Sequence, residues 1–216
     1  MQFHDGEGAG MRDMLLYGVG ESDRQADLLT WWQQTPGLHE FVPDFHRLQL
    51  EQWLWAHRAD LSGRVLDVGV QNPRRWMGSG YVTLNEAGGD ITGTLLHLPF
   101  AAATFDAVVL TEVLEHCTDP FRAVAEVWRT LKAGGLLLVT SPFCWPWHGT
   151  VDYRDYWRFT HEGWALLLKA FARVAIRPCE WTKEGAWCYD LLRRFECMGH
   201  RTLTLATTGY LCEAIK

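Results

Sequence analysis

Short apolar runs alternate with helical segments along the chain from residue 63 onwards. The apolar runs predict seven strands, which are residues 64–69, 80–85, 91–94, 105–111, 135–140, 174–181 and 210–215. The fourth and fifth strands contain A-V-V-L and L-L-L-V, and unbroken apolar runs of this kind are typical of strands covered on both faces. The alternation of strands with helices therefore predicts an α/β fold class with a mostly parallel sheet.

The chain before residue 63 has a different pattern. Residues 1–20 are rich in glycine and lack periodicity, whereas residues 22–33 and 43–59 show helical spacing of their apolar positions. We therefore expect two parts, an N-terminal helical extension at residues 1–60 and one α/β domain at residues 61–216.

Two helices of the α/β domain carry clear start signals. Asp119 is a favourable N-cap, Pro120 suits the first helical position, and the sequence A-G-G at residues 133–135 predicts the end of this helix. Thr160 is predicted to cap the next helix, with Glu162 in its first turn. Asp119 is therefore interpreted as a capping residue and not as a catalytic one.

Composition and charge exclude several classes of function. The chain has 216 residues, of which 48% are hydrophobic and 21% charged, and its net charge is −6. We expect no nucleic-acid partner because an acidic net charge argues against the basic face that duplex binding needs, although it leaves a local basic patch open. We expect no membrane partner because no apolar run approaches the ~20 residues of a membrane span. The start of the chain does not resemble a secretory signal. The six cysteines form no C-x-x-C pair, which predicts reduced thiols, a cytoplasmic location and no metal site. The oligomeric state stays open, with a homodimer as one option.

An acidic residue and a glycine end the first predicted strand, in the sequence V-L-D-V-G at residues 65–69. In an open doubly wound sheet, ligands bind beyond the carboxyl ends of the strands, where the winding reverses. The residues expected to share that crevice are Asp67 to Asn72, Asn85, Glu86, Thr111, Glu112, Glu115, His116 and residues 141–148. A dinucleotide-binding loop needs G-x-G-x-x-G, and the single glycine of this loop disfavours a dehydrogenase.

The connection between the first two strands is short. Only 11 residues separate Gly69 from Tyr81, which leaves room for about one or two helical turns. Asn72 as N-cap and the proline after it can start such a helix. Arg74, or the arginine after it, can then hold a ligand carboxylate; the alternative is that both arginines are solvated.

The motifs resemble, in order, those of one enzyme family. V-L-D-V-G is followed by L-P-F-x-x-x-x-F-D-A-V-V, then by L-E-H-x-x-D-P, then by L-K-x-G-G-L-L-L-V-T-x-P. This series, from about residue 63 to residue 160, resembles class I S-adenosylmethionine-dependent methyltransferases. Residues 148–163 are similar to a small-molecule subset with a His…Asp-Tyr-x-Arg-Phe-Thr segment after the fifth strand. The resemblance implies a Rossmann-like, seven-stranded sheet whose last strand is antiparallel, and S-adenosylmethionine as the cofactor.

The resemblance also implies which residues face the cofactor. Asp67 and Gly69 lie against its methionine part, Asn85 stands where an acid usually binds the ribose hydroxyls, and Thr94 stands where an aspartate often contacts adenine. A carboxylate binds a diol more strongly than an amide does, and Glu86 is an alternative ribose ligand. The predicted cofactor-binding residues, from the resemblance and from the crevice, are Asp67, Gly69, Val70, Asn72, Arg74, Asn85, Glu86, Thr94, Thr111 and Glu112.

The acceptor side of the site is predicted from the segment after the fifth strand. Methyl transfer from a sulfonium is an in-line displacement, and a hydroxyl acceptor must also lose a proton. His148 is the first candidate base, oriented by Asp152 or Asp155, and His116 is the second. The structural alternatives are that His116 caps or bonds within its own loop and that His148 pairs with Asp155 to fix a lid. Arg158 is expected to tie that lid to an acid such as Glu112 or Glu115. The predicted substrate-binding residues are aromatic and are Trp145, Trp147, Tyr153 and Tyr156.

The sequence therefore predicts an enzyme that transfers a methyl group from S-adenosylmethionine to a small-molecule acceptor. The alternative is a catalytically degenerate methyltransferase-like domain that binds a ligand or a protein partner. The single glycine and the residues Asn85 and Thr94 motivate that alternative, whereas the intact segment at residues 148–160 counts against it.

Overall fold

The computed structural model describes residues 30–31, 33–34, 45–69, 80–151, 153–179 and 209–216. Its helices are α1, Phe45–Ala56; α2, Pro120–Thr130; and α3, His161–Leu167, with a 3₁₀ turn at Leu114–His116. Its strands are β1, Val65–Val68; β2, Tyr81–Asn85; β3, Ile91–Thr92; β4, Phe105–Thr111; β5, Leu131–Pro142; β6, Arg173–Pro178; and β7, Gly209–Ile215. Within these ranges, no helix combines the length and the apolar character that crossing a membrane requires.

Some predicted features fall outside the described residues. They include most of the helix predicted at residues 22–33, of which residues 30, 31 and 33 are helical. They also include the loop residues Val70, Asn72 and Arg74, so the short helix predicted there stays a prediction.

The described strands form one sheet in the order β3-β2-β1-β4-β5-β7-β6. Neighbouring strands are parallel from β3 to β5, whereas β7 lies between β5 and β6 and is antiparallel to both. β1 is central, with Leu66 beside Val82 of β2 and Val108 of β4. The winding therefore reverses between β1 and β4, and the predicted Rossmann-like, mostly parallel sheet with an antiparallel last strand is confirmed.

The connection between α2 and β5 differs from the prediction. The helix was expected to continue to residues 133–135, but it ends at Thr130, and β5 begins at once with Leu131. Leu131 pairs with Phe105 at the start of β4, and the register then shifts along the two strands. Gly134 lies in the shifted part with a φ of +74°, which glycine adopts without steric cost. The A-G-G sequence therefore belongs to an irregularity in the strand and not to a helix end.

Alternate residues of the central strands pack on opposite faces of the sheet. Leu66 and Val108 belong to one buried cluster, which also contains Trp164 of α3. Val65 of β1 belongs to a second cluster, which contains Leu54 of α1. Because helices cover both faces, both sets of positions must be apolar, and this explains the unbroken apolar runs of the sequence.

The two predicted helix caps are present. The Asp119 carboxylate accepts a hydrogen bond of 3.0 Å from the backbone N–H of Arg122. The Thr160 hydroxyl accepts one of 3.1 Å from the backbone N–H of Gly163. Both side chains thus satisfy a backbone donor that has no partner within its own helix.

We expect Asp119→Ala to lower the free energy of unfolding by about 1 kcal/mol, because the N–H of Arg122 loses its acceptor. Asp119→Ser keeps an acceptor at the same position and is the matched control, with most of the stability retained. Urea unfolding followed by circular dichroism measures both variants. An equal loss in the two variants would show that the capping bond does not contribute.

Candidate active site

A cavity of about 290 Å³ lies at the carboxyl ends of β1, β2 and β3. The turn after β4 and part of the segment at residues 153–156 complete its wall. The predicted site residues that line it are Gly69, Asn85, Glu86, Thr94, His116, Tyr153 and Tyr156. The structure thus brings together residues from five separate places in the sequence, at the switch point where the topology predicts a ligand.

Gly69 allows the turn after β4 to approach the end of β1. Its φ is +76°, and a Cβ atom at this position would lie 2.6 Å from Cγ2 of Val113. Its backbone N–H donates a hydrogen bond of 3.0 Å to the carbonyl of Leu84 in β2. Both the conformation and the close approach require glycine. They set the position of the cavity wall at the end of β1.

A second wall of the cavity is formed by the ends of β2 and β3. The carbonyl of Asn85 accepts a hydrogen bond of 2.9 Å from the backbone N–H of Gly93. The Thr94 hydroxyl accepts one of 3.3 Å from the N–H of Leu96, while Glu86 is exposed. This wall offers amide and carboxylate groups beside apolar leucine side chains.

Several predicted cofactor residues lie outside the cavity wall. Asp67 is buried in β1, where the hydroxyl of Tyr81 donates a 2.8 Å hydrogen bond to its Oδ2 and so joins β1 to β2. Thr111 is buried at the end of β4. Glu112 has a φ of +56° and accepts a hydrogen bond of 2.7 Å from the hydroxyl of Thr140. Along the chain, Asp67 and Glu112 directly precede the lining residues Val68 and Val113.

Two histidines meet beside the cavity. The rings of His116 and His148 lie 5.0 Å apart at an angle of 83°, and the His116 ring is 4.7 Å from that of Tyr153. Nδ1 of His116 lies 2.6 Å from the carbonyl oxygen of Arg154. Burial lowers the pKa of His116, although its hydrogen bond to that carbonyl opposes the shift. The neutral imidazole is therefore favoured.

Asp155 is clamped by an arginine three residues along the chain. Its side chain is 1% exposed, and both of its oxygens accept hydrogen bonds from the Arg158 guanidinium. This bidentate contact lowers the pKa of Asp155 to about 2. Oδ2 of Asp155 also accepts from the backbone N–H of His148 at 3.0 Å and lies 3.1 Å from its Nδ1. The predicted pairing of His148 with Asp155 is thus present.

The prediction that Arg158 ties this segment to Glu112 or Glu115 is wrong. Its guanidinium binds Asp155 and donates to the carbonyls of Trp145 and Pro146, at 3.3 and 3.2 Å. Asp155 is the preferred partner because its two carboxylate oxygens accept hydrogen bonds from both Nη atoms of the guanidinium, which binds best to two parallel acceptors.

Glu115 received no chemical role from the sequence, although the topology placed it in the crevice. Its side chain is fully buried, and neither carboxylate oxygen has a hydrogen-bond partner among the described residues. Oε1 lies 3.6 Å from Nε2 of His116. Burial, followed by repulsion from Glu112, raises the pKa of Glu115 well above its ordinary value.

The predicted aromatic residues separate into two pairs. Tyr153 and Tyr156 line the cavity, whereas Trp145 and Trp147 do not, and Trp147 is 69% exposed. The indole N–H of Trp157 donates a 2.7 Å hydrogen bond to the carbonyl of Cys117. This bond holds the segment against the turn after β4.

Sequence reasoning missed part of the cavity lining. Leu95 and Leu96 follow the short strand β3, and Arg154 lies between the two lining tyrosines. The rule that ligands bind beyond strand ends was applied to four strands and not to β3. Applied to β3 as well, it would have found the two leucines. No local signal distinguished Arg154, since its neighbourhood depends on the fold of the whole segment.

Residues 78–139 match the family model described as a methyltransferase domain. Over 81 residues the chain is 37% identical to the "Ubiquinone/menaquinone biosynthesis C-methyltransferase UbiE" of Haemophilus ducreyi. These 81 residues are 38% of this chain and 29% of that relative. The chain thus spans less than a third of the length of this curated relative.

Two solved structures share the fold. A structure described as a SAM dependent methyltransferase from Archaeoglobus fulgidus superposes with a TM-score of 0.52 at 16% identity, covering 79% of this chain and 94% of the other. A protein from Pyrococcus horikoshii superposes with a TM-score of 0.53 at 14% identity, covering 86% and 98%. These likenesses confirm the Rossmann-like fold class.

Proposed function

We propose that this protein is an S-adenosylmethionine-dependent methyltransferase that acts on a small-molecule acceptor. The observation that carries the proposal is the position of the cavity. It lies at the switch point of a Rossmann-like sheet, and most of its wall comes from the segment that matches a methyltransferase domain. The motif series of the sequence supports the same activity.

The cavity has the groups that this cofactor would need. Gly69 leaves space that a side chain would fill, so the backbone can approach the methionine part closely. Asn85 and Glu86 offer polar atoms for the ribose hydroxyls, while Leu95 and Leu96 offer an apolar surface for the adenine ring. We propose that Asp67, Thr111 and Glu112 keep these residues in place.

The acceptor side is proposed to consist of His116, His148, Asp155 and the two lining tyrosines. S-adenosylmethionine, when bound, supplies an electrophilic methyl group. Tyr153 and Tyr156 present aromatic faces to the cavity, and such faces stabilise positive charge near a sulfonium. Asp155 orients His148 through two contacts, which leave Nε2 of that imidazole available as a base.

Charge and thiols support the remaining parts of the proposal. A net charge of −6 favours a small molecule over a nucleic acid as the acceptor. The cysteines of the described ranges, Cys117, Cys144, Cys179 and Cys212, are free thiols, which supports a reducing compartment such as the cytoplasm. The division into residues 1–60 and 61–216 stays a proposal, supported by the packing of α1 against one face of the sheet.

Calorimetry with S-adenosylmethionine and S-adenosylhomocysteine tests the proposed function. We expect both to bind at one site per chain, and we expect radiolabelled methyl groups to be transferred to at least one member of a panel of hydroxyl, amine and thiol acceptors. No binding of either ligand at millimolar concentration would overturn the proposal. Binding without transfer to any acceptor would favour the degenerate domain instead.

We expect Asn85→Leu to weaken the binding of S-adenosylhomocysteine by about 10-fold, because the ribose hydroxyls lose a polar partner. Asn85→Asp should tighten binding, since a carboxylate accepts from both hydroxyls more strongly than an amide does. Calorimetry measures both variants. Glu86→Gln is the matched control: a weakening there, with Asn85→Leu unchanged, would assign the ribose to Glu86.

A further inference from the structure

We propose that Glu115, His116 and His148 bind one divalent transition-metal ion at the wall of the cavity. Each of these residues offers one ligand atom, and the three atoms all lie within 4.8 Å of one another. No metal site was predicted from the sequence, because that prediction rested only on the spacing of the cysteines. Here two of the ligands come from the turn after β4 and the third from the segment after β5, so the topology must bring them together.

The first observation that supports a cation is the Glu115 carboxylate. It is fully buried, and within the described ranges neither oxygen meets a hydrogen-bond donor. A buried carboxylate without a partner is costly, whereas both oxygens of the Asp155 carboxylate are paired with Arg158. A cation beside Glu115 would supply the missing partner.

The second observation is the orientation of the two imidazoles. Nδ1 of His116 faces the carbonyl oxygen of Arg154 at 2.6 Å, and Nδ1 of His148 faces Oδ2 of Asp155 at 3.1 Å and the carbonyl of Pro146 at 3.2 Å. Oxygen acceptors hold the proton on Nδ1, so that Nε2 keeps its lone pair. Histidines that ligate metals commonly have their other nitrogen fixed in this way by a carboxylate or a backbone carbonyl.

The geometry needs little adjustment to close around a cation. Nε2 of His116 lies 3.6 Å from Oε1 of Glu115, and two ligands that share a metal at about 2.1 Å each are separated by roughly 3–3.5 Å. The three ligand atoms lie within 4.8 Å of one another. The His148 side chain is partly exposed, so its ring can move the remaining distance of about 1 Å towards the other two ligands.

The donor set selects the kind of cation. Two imidazoles and one carboxylate suit zinc, cobalt or iron in the divalent state, whereas magnesium and calcium prefer oxygen ligands. Three protein ligands leave coordination positions open, as in catalytic sites. His116 lines the cavity, so an open position there can take a hydroxyl group of the acceptor.

This placement refines the proposed role of the histidines. They would hold the cation, and the hydroxyl bound to it would lose its proton to solvent more readily. Its oxygen would then attack the methyl group, whose bond to sulfur would break and leave S-adenosylhomocysteine. That consequence rests on the proposed function, whereas the binding of the cation does not. The inference therefore assigns hydroxyl compounds as the class of acceptor.

Titration of the chelator-treated protein with Co²⁺, followed by visible absorbance and calorimetry, tests the site. We expect one Co²⁺ per chain, displaced by Zn²⁺, with Glu115→Gln and His148→Gln each weakening binding by about 10-fold or more. The matched control is Glu213→Gln. Oε2 of Glu213 lies 3.4 Å from Nε2 of His57, and neither residue lines the cavity. This variant should bind Co²⁺ with unchanged affinity.

Two results would overturn the inference. One is the absence of stoichiometric Co²⁺ or Zn²⁺ binding to the unaltered protein, and the other is an unchanged affinity in folded Glu115→Gln and His148→Gln. Circular dichroism checks folding, which Glu115→Gln should preserve because glutamine has nearly the same size and shape as the neutral acid. Calorimetry with S-adenosylmethionine in the presence of chelator separates the two proposals. Cofactor binding and methyl transfer without any cation site would overturn this inference alone, whereas a cation site without cofactor binding would overturn the proposed function alone.

Discussion

Replacing Gly69 by alanine is expected to lower the free energy of unfolding by about 3 kcal/mol and to abolish measurable cofactor binding. A non-glycine residue at a φ of +76° costs about 1–2 kcal/mol. The new Cβ would also lie 2.6 Å from Cγ2 of Val113, which a β-branched side chain cannot avoid by rotating alone. The turn after β4 must therefore move, and with it the wall of the cavity.

Gly134→Ala is the matched control for this effect. Gly134 has a φ of +74°, nearly that of Gly69, but a Cβ atom there would meet nothing within 4 Å. It should lose only the conformational part, about 1–2 kcal/mol, and keep its affinity for S-adenosylhomocysteine. Urea unfolding and calorimetry measure both variants. Equal losses of stability would show that the contact with Val113 is unimportant, and unchanged ligand affinity in Gly69→Ala would remove the end of β1 from the cofactor site.

The strands and helix caps could be predicted because their signals are local. β4 was predicted with its observed bounds, since helices cover both faces of the sheet and the apolar run is unbroken. Asp119 and Thr160 were predicted as caps because a cap needs only the side chain and the first turn of its helix. The start of β5 at Leu131 depends on pairing with Phe105, which no local pattern reveals.

The site could be predicted in place more than in detail. Strand order determines which chain segments meet, so Gly69, Asn85 and His116 were expected to share one crevice and do. The family resemblance added Thr94, which also lines the cavity. Which side chains face that crevice depends on long-range contacts. Arg158 was expected to reach Glu112 or Glu115 and instead clamps Asp155, and Glu115 is left as a buried acid.

Removing the guanidinium of Arg158 is expected to have the second large effect. Asp155 is 1% exposed, and Arg158 binds both of its oxygens. Breaking a buried ion pair by removing one partner costs about 3 kcal/mol or more, because the remaining charge stays buried. Arg158→Gln should therefore destabilise the protein by about 3 kcal/mol and should also release the carbonyls of Trp145 and Pro146. Without that clamp Asp155 no longer orients His148, so methyl transfer should fall more than cofactor affinity does.

The control for Arg158→Gln is Arg129→Gln, which disturbs a pair of the same type and spacing. Arg129 binds Glu126 three residues earlier at 2.8 Å, but those side chains are 35% and 17% exposed, so its loss should cost about 1 kcal/mol or less. The double variant Arg158→Gln with Asp155→Asn should recover part of the stability, since it leaves no buried charge. Urea unfolding measures the three variants. If Arg158→Gln lowered the free energy of unfolding by no more than Arg129→Gln does, the contact of Arg158 with Asp155 would contribute no more than a surface ion pair. The backbone alone would then have to orient His148.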